Sequence, residues 1–385
     1  MEGLKEKLKV LAVARRSRPG PEEPVYLLDA ALQPAGLLAV SCSDFTVRLH
    51  NKDTLTQLGQ YRGHGGPVSG LVFSHTTPDL LYSGSADGTV RGWDARRPGT
   101  AAVQVFRSDP PHSLCSFDLS CGDTLLCAGT EQVNDEDSFL VFWDVRKTGG
   151  GLLGVYSESH SDDITQVRFH PRDGDRLASG STDGLVNVFD LSRGAEEEAL
   201  LATCNGDSSA ASLCWSGADS TQLLCLSHDA GLHLWELRHL DTEEPLVVFS
   251  TSDARSATPP ADGGGVDYLV GGRWLEEARK LLVVGGRSSG ELRLMECDGG
   301  GLGLLSNLGG GHTSTVRCFL WDAAGEALIT GGEDSQLLLW KPGGEEFTSG
   351  RKESMKSESA LRNESRPHKR RGYQREQKAG YPSAT

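Results

Sequence analysis

The residues with the clearest chemical potential are a histidine, a hydroxyl-bearing residue and an aspartate that recur together along the chain. Such a trio can perform nucleophilic catalysis, but a catalytic triad occurs once and opens onto a cleft. This trio recurs, and tryptophan follows it in two of the three sets. The sets are His64, Ser83, Asp87 and Trp93; His160, Ser179 and Asp183; and His312, Thr330, Asp334 and Trp340.

Repetition with a tryptophan favours a buried structural relay over catalysis. In such a relay the aspartate accepts from the imidazole, the imidazole reaches the hydroxyl, and the hydroxyl accepts from the indole N–H. Each buried polar group then has a partner, which is the condition for such a network to stabilise a fold. We therefore expect a non-enzymatic protein and assign no catalytic residue.

The second set lies on a hairpin whose pattern is repeated through the chain. The segment YSGSADGTVRGWD (82–94) turns at Asp87-Gly88 between two strand-like runs, which is a strong hairpin signal. Similar segments occur at 177–190, 223–236 and 328–341. Aligning on the hairpin gives seven units, which close at His50, Trp93, Trp143, Phe189, Trp235, Met295 and Trp340.

Units of this length with Trp-Asp endings are typical of four-stranded propeller blades. From about residue 25 to 342 the sequence resembles the WD-repeat family, and phrases such as ESHSDDITQVRFHP (158–171) resemble one vertebrate branch of it. The resemblance implies an all-β, seven-bladed WD-repeat β-propeller within residues 1–345. The expected blades are roughly 25–52, 62–96, 110–146, 158–192, 206–238, 264–297 and 310–342.

The ends of the propeller predict how its ring closes. After Trp340 the chain runs into Lys341-Pro342-Gly343-Gly344, so the last blade lacks an obvious fourth strand. The N-terminal run Leu8–Arg15 can supply that strand, and closure would remove exposed sheet edges. Two irregularities are also expected, namely a sixth unit without the Asp and Trp signature and a surface loop at 250–265.

The C-terminal segment 346–385 differs from the rest in charge and composition. After Glu346 it has ten Lys or Arg residues against four Glu, a net charge of +6, whereas the whole chain carries −15. Few apolar residues interrupt it, so we predict a disordered basic tail. Its densest basic cluster, Lys369-Arg370-Arg371, could act as a nuclear-import signal or contact nucleic acid.

Two places carry a signal for partner proteins. Arg96 and Arg146 follow Trp-Asp in consecutive units, and they match the WDxR box that in one group of WD-repeat proteins helps to dock the adaptor of cullin–RING ubiquitin ligases. Alternatively, each arginine simply caps a turn. The residues that precede the turn aspartates on one rim are further candidates: Ala86, Glu136, Thr182, His228 and Glu333.

Other chemistries have weak support. The nine cysteines form no CxxC pair, so a zinc site or disulfide framework is not expected. The acidic loop 134–137 lacks EF-hand spacing, and the glycine run 299–303 is not followed by Lys-Ser or Lys-Thr. No apolar run approaches the ~18 residues of a membrane span. The N-terminus lacks a signal-peptide core.

We therefore expect an intracellular protein of the nucleus, the cytoplasm or both, with no cofactor and no metal. The favoured function is a protein–protein interaction scaffold, a monomeric propeller within a complex. Two alternatives remain open. One is a substrate receptor of a cullin–RING ligase, and the other is a nuclear or nucleolar ribonucleoprotein-associated factor that uses the basic tail.

Overall fold

The computed structural model describes residues 2–18, 24–33, 35–134, 137–147, 151–240, 244–257 and 265–344. These residues form seven four-stranded antiparallel sheets, which confirms the predicted seven-bladed propeller. Within each blade the strands are designated a to d from the central channel outwards. The turns between b and c and the connections from d to the next a form the upper rim, and the a–b and c–d turns form the lower rim.

Short helices and 28 strands make up the described chain. The N-terminal elements are α1 (Glu2–Lys9) and β1 (Leu11–Ser17). Blades 1 to 3 comprise β2 (Leu27–Gln33), β3 (Leu37–Cys42), β4 (Val47–Asn51), β5 (Gln57–Tyr61); β6 (Val68–Phe73), β7 (Leu80–Ser85), β8 (Thr89–Asp94), β9 (Gln104–Arg107); and β10 (Leu114–Leu119), β11 (Leu125–Thr130), β12 (Leu140–Asp144), β13 (Leu152–Tyr156).

Blades 4 to 7 follow the same plan, with β1 as strand d of blade 7. A 3₁₀ turn, Leu191–Arg193, and α2 (Glu196–Ala199) follow strand c of blade 4, and α3 (Ala254–Ala257) precedes blade 6. The strands are β14 (Gln166–Phe169), β15 (Arg176–Gly180), β16 (Leu185–Asp190), β17 (Leu200–Asn205); β18 (Ala210–Ser216), β19 (Gln222–Ser227), β20 (Leu232–Glu236), β21 (Leu246–Thr251); β22 (Tyr268–Leu275), β23 (Lys280–Gly286), β24 (Leu292–Asp298), β25 (Gly301–Leu308); and β26 (Val316–Asp322), β27 (Ala327–Gly332), β28 (Leu337–Pro342).

The N-terminal strand closes the ring, as predicted. Strand β1 pairs antiparallel with β28, and Val13 lies opposite Trp340. Its bounds differ from the predicted Leu8–Arg15, because residues up to Lys9 form α1. Leu4 and Leu8 are four residues apart, so one helix face carries both into the core between blades 6 and 7.

A buried ion pair joins the first and last blades at the lower rim. Lys52 Nζ lies 2.6 Å from Asp322 Oδ2, and both side chains are buried. Asp322 ends the innermost strand of blade 7, whereas Lys52 follows strand c of blade 1. The ring is therefore closed both by backbone pairing and by a side-chain contact between its ends.

Hydrophobic cores lie between neighbouring blades. Alternate side chains of each strand point to opposite faces of the sheet, so every blade packs against two neighbours. Trp93, for example, shares a core with Val47 and Leu49 of the preceding blade. Gly84 allows a close approach, because a Cβ there would come within 2.5 Å of Phe117 in the next blade.

The two predicted irregularities have different outcomes. The sixth unit, despite its atypical sequence, forms a complete four-stranded blade. The connection 250–265 is not entirely loop, because α3 occupies part of it, while residues 258–264 lie outside the described residues. None of the described helices is both long and apolar enough to traverse a bilayer.

Candidate functional sites: relays, paired arginines and channel

The residues of the second-blade set form one continuous chain of hydrogen bonds. His64 Nδ1 lies 3.0 Å from Asp87 Oδ2, and His64 Nε2 lies 2.7 Å from Ser83 Oγ. The indole N–H of Trp93 donates to the same hydroxyl at 2.8 Å. Asp87 sits in the b–c turn, where it also accepts from the hydroxyl of Thr89 at 2.6 Å.

The seventh blade repeats this arrangement with threonine as the hydroxyl residue. His312 Nδ1 lies 3.0 Å from Asp334 Oδ1, and its Nε2 lies 2.7 Å from Thr330 Oγ1. Trp340 Nε1 donates to that hydroxyl at 2.8 Å.

The fourth blade has the polar trio without the indole. His160 Nδ1 lies 3.0 Å from Asp183 Oδ2, and His160 Nε2 lies 2.7 Å from Ser179 Oγ. Phe189 stands where the other two blades have tryptophan. Asn187 lies beside the histidine and donates to the backbone oxygen of Ser159 at 2.6 Å, a contact that the sequence did not predict.

Hydrogen bonding outweighs burial in setting the ionisation of the relay aspartates. Burial alone would raise the pKa of Asp334, but hydrogen bonds and charge from His312 lower it to about 2. The pKa of Asp87 is likewise lowered by donors that include Thr89 and the backbone N–H of Gly65, despite its partial burial. Burial lowers the pKa of His64, which favours the neutral imidazole.

The relay hydroxyls are inaccessible to a substrate. Ser83, Ser179 and Thr330 are fully buried, and the hydroxyls of Ser83 and Thr330 are each engaged by both an imidazole and an indole. Because a nucleophile must reach a reacting atom, this geometry argues against hydrolysis by these residues. Blade 3 has Ala128 at the position of Ser83, and Trp143 donates instead to the backbone oxygen of Arg107 at 3.2 Å.

Arg96 and Arg146 occupy equivalent places on the lower rim of blades 2 and 3. Each side chain is 68% exposed and forms a two-pronged contact with the aspartate two residues before it. Arg96 reaches Asp94 at 2.9 and 3.0 Å, and Arg146 reaches Asp144 at 2.8 and 3.0 Å. Each arginine therefore caps its turn and also presents the outer edge of its guanidinium to solvent.

The predicted upper-rim residues differ in their exposure and in their contacts. His228 is exposed in the b–c turn of blade 5. Glu333 in blade 7 is held by Arg317, whose Nε lies 2.7 Å away. Glu136 lies outside the described residues, as do Lys369, Arg370 and Arg371 of the tail.

A channel of about 670 Å³ along the ring axis contains charged residues that sequence reasoning missed. Asp29 Oδ2 accepts from the backbone N–H of Leu71 at 2.9 Å, and Asp118 Oδ2 accepts from that of Phe169 at 2.7 Å. Each carboxylate thus accepts a backbone hydrogen bond from the innermost strand of the next blade. Burial raises the pKa of both, opposed by the charge of Arg168. A lone aspartate within an otherwise apolar strand was the available signal.

The family of the chain follows from its repeats and its relatives. The model of the WD domain, G-beta repeat, matches residues 55–94, 150–190 and 304–341, which fall in blades 1–2, 3–4 and 6–7. The chain is 31% identical over 322 residues to WD repeat-containing protein GTS1 of Arabidopsis thaliana, covering 79% of this chain and 78% of that one. The chain therefore belongs to the family of WD-repeat β-propeller proteins.

Two further relatives differ in extent. The chain is 27% identical over 319 residues to the WD repeat-containing protein 89 homolog of Dictyostelium discoideum, and the match covers 83% of each. Pre-mRNA-processing factor 19 of Mus musculus is 30% identical over 170 residues, which is 43% of this chain and 31% of that protein. Sequence phrases such as residues 158–171 resemble WD repeat-containing protein 89, and the Dictyostelium discoideum relative is a homolog of that protein.

Proposed function

We propose that this protein is a non-enzymatic scaffold whose lower rim binds a partner protein through Arg96 and Arg146. The observation that carries the proposal is the presentation of two guanidiniums, equally exposed, at equivalent positions of adjacent blades. Arginine has a rigid fork of several donors, and it is enriched among the residues that dominate binding energy at protein interfaces.

The intramolecular contacts support this role because they orient the side chains before a partner arrives. Hydrogen bonds from Arg96 are the main cause of a lowered pKa at Asp94, and those from Arg146 act in the same way on Asp144. With Nε and one terminal nitrogen engaged, the remaining donors of each guanidinium face outwards. An oriented side chain loses less conformational entropy on binding than a free one.

The partner that best fits the WDxR match is the propeller adaptor of a cullin–RING ubiquitin ligase. In that case the protein is a substrate receptor, and its other rim is available to the substrate. The relays are consistent with this division of roles, because they stabilise the upper-rim turns from inside the blades and do not occupy the exposed surface of that rim.

The test is co-purification of the adaptor with tagged full-length protein from cells. We expect Arg96→Ala combined with Arg146→Ala to reduce adaptor recovery about tenfold or more, the loss that ~1.4 kcal/mol of binding energy produces. The melting temperature should change little, because exposed ion pairs contribute little to stability.

A matched control is available in blade 5. Arg238 follows Trp235-Glu236 at the same spacing and is exposed, but its nearest contact with Glu236 is 4.0 Å long. Arg238→Ala should leave adaptor recovery unchanged. Equal recovery with the double variant and with wild type would reject the ligase proposal, whereas loss of other co-purified proteins in the double variant alone would still support a scaffold that uses this rim.

A further inference from the structure

The repeat places an aspartate and an arginine at a fixed spacing in the first two blades. In blade 1, Arg48 Nη2 lies 2.9 Å from Asp44 Oδ2. In blade 2, Arg91 Nη2 lies 3.5 Å from Asp87 Oδ2. In both cases the carboxylate belongs to the b–c turn, and the arginine follows four residues later on strand c.

Blade 6 keeps the arginine of this pair but not the aspartate. Alignment of Met295 with Trp93 places Arg293 at the position of Arg91 and Ser289 at that of Asp87. Arg293 is only 5% exposed, and its buried Nη1 has no hydrogen-bond partner. Within the described chain, no carboxylate comes within 4 Å of it.

The surroundings of the blade-6 arginine make its lack of a partner costly. The other relay positions are apolar here: Val266, Gly285 and Met295 replace the histidine, serine and tryptophan of blade 2, and they pack together. A guanidinium N–H that is removed from water without an acceptor is unfavourable. An anionic group beside Arg293 would supply the missing acceptor, and the unmodified b–c turn of blade 6 does not provide one.

The nearby acidic groups do not fill this role. Glu291 is paired with Arg287 Nη1 at 2.8 Å, and Asp267 accepts from the backbone N–H and the hydroxyl of Ser288. Arg287 also has a buried Nε without a hydrogen-bond partner. Two incompletely satisfied guanidiniums therefore flank Ser289 in sequence, one two residues before it and one four residues after it.

We propose that Ser289 is a phosphorylation site, and that its phosphate completes the ion pair with Arg293 that aspartate completes in blades 1 and 2. A protein kinase would transfer the γ-phosphoryl group of a nucleoside triphosphate to Ser289 Oγ. The new O–P bond forms as the bond to the departing diphosphate breaks, and the hydroxyl proton passes to the kinase's base. A phosphate supplies about −1.5 to −2 charges and three strong acceptors.

The geometry of the turn favours Ser289 over its neighbour. Both serines are exposed, but Ser288 is engaged by Asp267, whereas Ser289 occupies the aspartate position of the repeat. At that position in blades 1 and 2, the carboxylate also accepts from the backbone N–H two residues later, at 3.2 and 3.0 Å. The N–H of Glu291 is the corresponding donor for a phosphate on Ser289.

The first experiment measures whether a negative charge at position 289 couples to Arg293. We expect Ser289→Asp to raise the melting temperature of the full-length protein by about 2–4 °C. Ser289→Asn introduces a side chain that has nearly the shape of aspartate but no charge, so it should raise the melting temperature much less. In the Arg293→Met background the gain from Ser289→Asp should disappear. An equal gain with Asp and Asn, or a gain that persists without Arg293, would overturn the proposal.

The second experiment looks for the modification itself. Protein purified from cells with phosphatase inhibitors is digested with trypsin, and fragmentation of the peptide 288–293 separates Ser288 from Ser289. We expect phosphate on Ser289, its removal by phosphatase treatment, and its absence in Ser289→Ala. An unmodified peptide in every preparation, or phosphate confined to Ser288, would refute the assignment even if Ser289→Asp is stabilising.

Discussion

At the level of single residues, the relay hydroxyls of blades 2 and 7 serve two partners at once. Ser83 Oγ lies within hydrogen-bond distance of an imidazole and an indole, both of them buried. Removing one hydroxyl therefore strands two polar groups, and each stranded group carries its desolvation cost. The relays are therefore expected to act on the stability of the propeller.

This reasoning predicts a graded effect of removing the hydroxyl in different blades. Ser83→Ala should cost about 1–3 kcal/mol of unfolding free energy, because His64 and Trp93 both lose their partner. Ser179→Ala should cost less, because Phe189 has no N–H to be stranded. Urea denaturation of the two variants measures the difference, and equal losses would contradict the relay as described.

The difference between Arg91 and Arg293 is also a residue-scale effect. The two arginines have the same place in the repeat, yet only Arg91 has a carboxylate within reach. The carboxylate partner that Arg91 has in blade 2 is thus missing at the corresponding place in blade 6.

At the level of elements, we expect the short N-terminal strand to contribute strongly to the stability of the ring. Strand β1 pairs with β28 over its full length, and α1 adds Leu8 to the core between blades 6 and 7. Without β1 the last blade has three strands, and β28 presents an unpaired edge. The two ends of the ring would then be joined by the Lys52–Asp322 pair and by the hydrophobic core between blades 7 and 1, which includes Leu27 and Ile329.

Deletion of residues 1–16 should therefore lower the melting temperature by roughly 5–10 °C, several kcal/mol for a protein of this size. Deletion of residues 1–9 is the matched control, because it removes α1 but keeps β1. We expect a smaller loss in that variant, measured by scanning calorimetry on both proteins. A melting temperature equal to that of wild type after deletion of residues 1–16 would show that β1 does not stabilise the ring.

At the level of the whole molecule, charge is divided unequally along the chain. The C-terminal segment carries +6 after Glu346, so the remainder carries −21. A basic segment on an acidic protein suits nuclear import or contact with nucleic acid.

Deletion of residues 346–385 should abolish nuclear accumulation while leaving the melting temperature unchanged. Replacing Lys369, Arg370 and Arg371 with alanine should give the same loss if the cluster is the import signal. Quantitative imaging of tagged variants measures both. Nuclear entry without the tail, or RNA binding that survives its deletion, would contradict a role for the tail in these activities.

The fold could be predicted from the order of the amino acids alone, because blade structure depends on local signals. Turn residues such as Asp87-Gly88, alternating apolar strands and a repeat near 45 residues specify the hairpins and their number. Even ring closure was predictable, since the last unit lacked a strand and the N-terminus could supply one. The exact start of that strand was not predictable, because the packing of Leu8 against two blades favours a helix there.

The contacts between side chains of different blades could not be predicted in this way, because they depend on how the blades pack around the ring. The channel residues Asp29 and Asp118 are lone acids in apolar strands, and their amide partners lie on neighbouring blades more than forty residues away. Burial is likewise a property of the whole ring. The sequence shows an arginine at position 293. Only the packed structure shows that this arginine is buried and that its Nη1 has no acceptor. The proposal that Ser289 is phosphorylated rests on that observation.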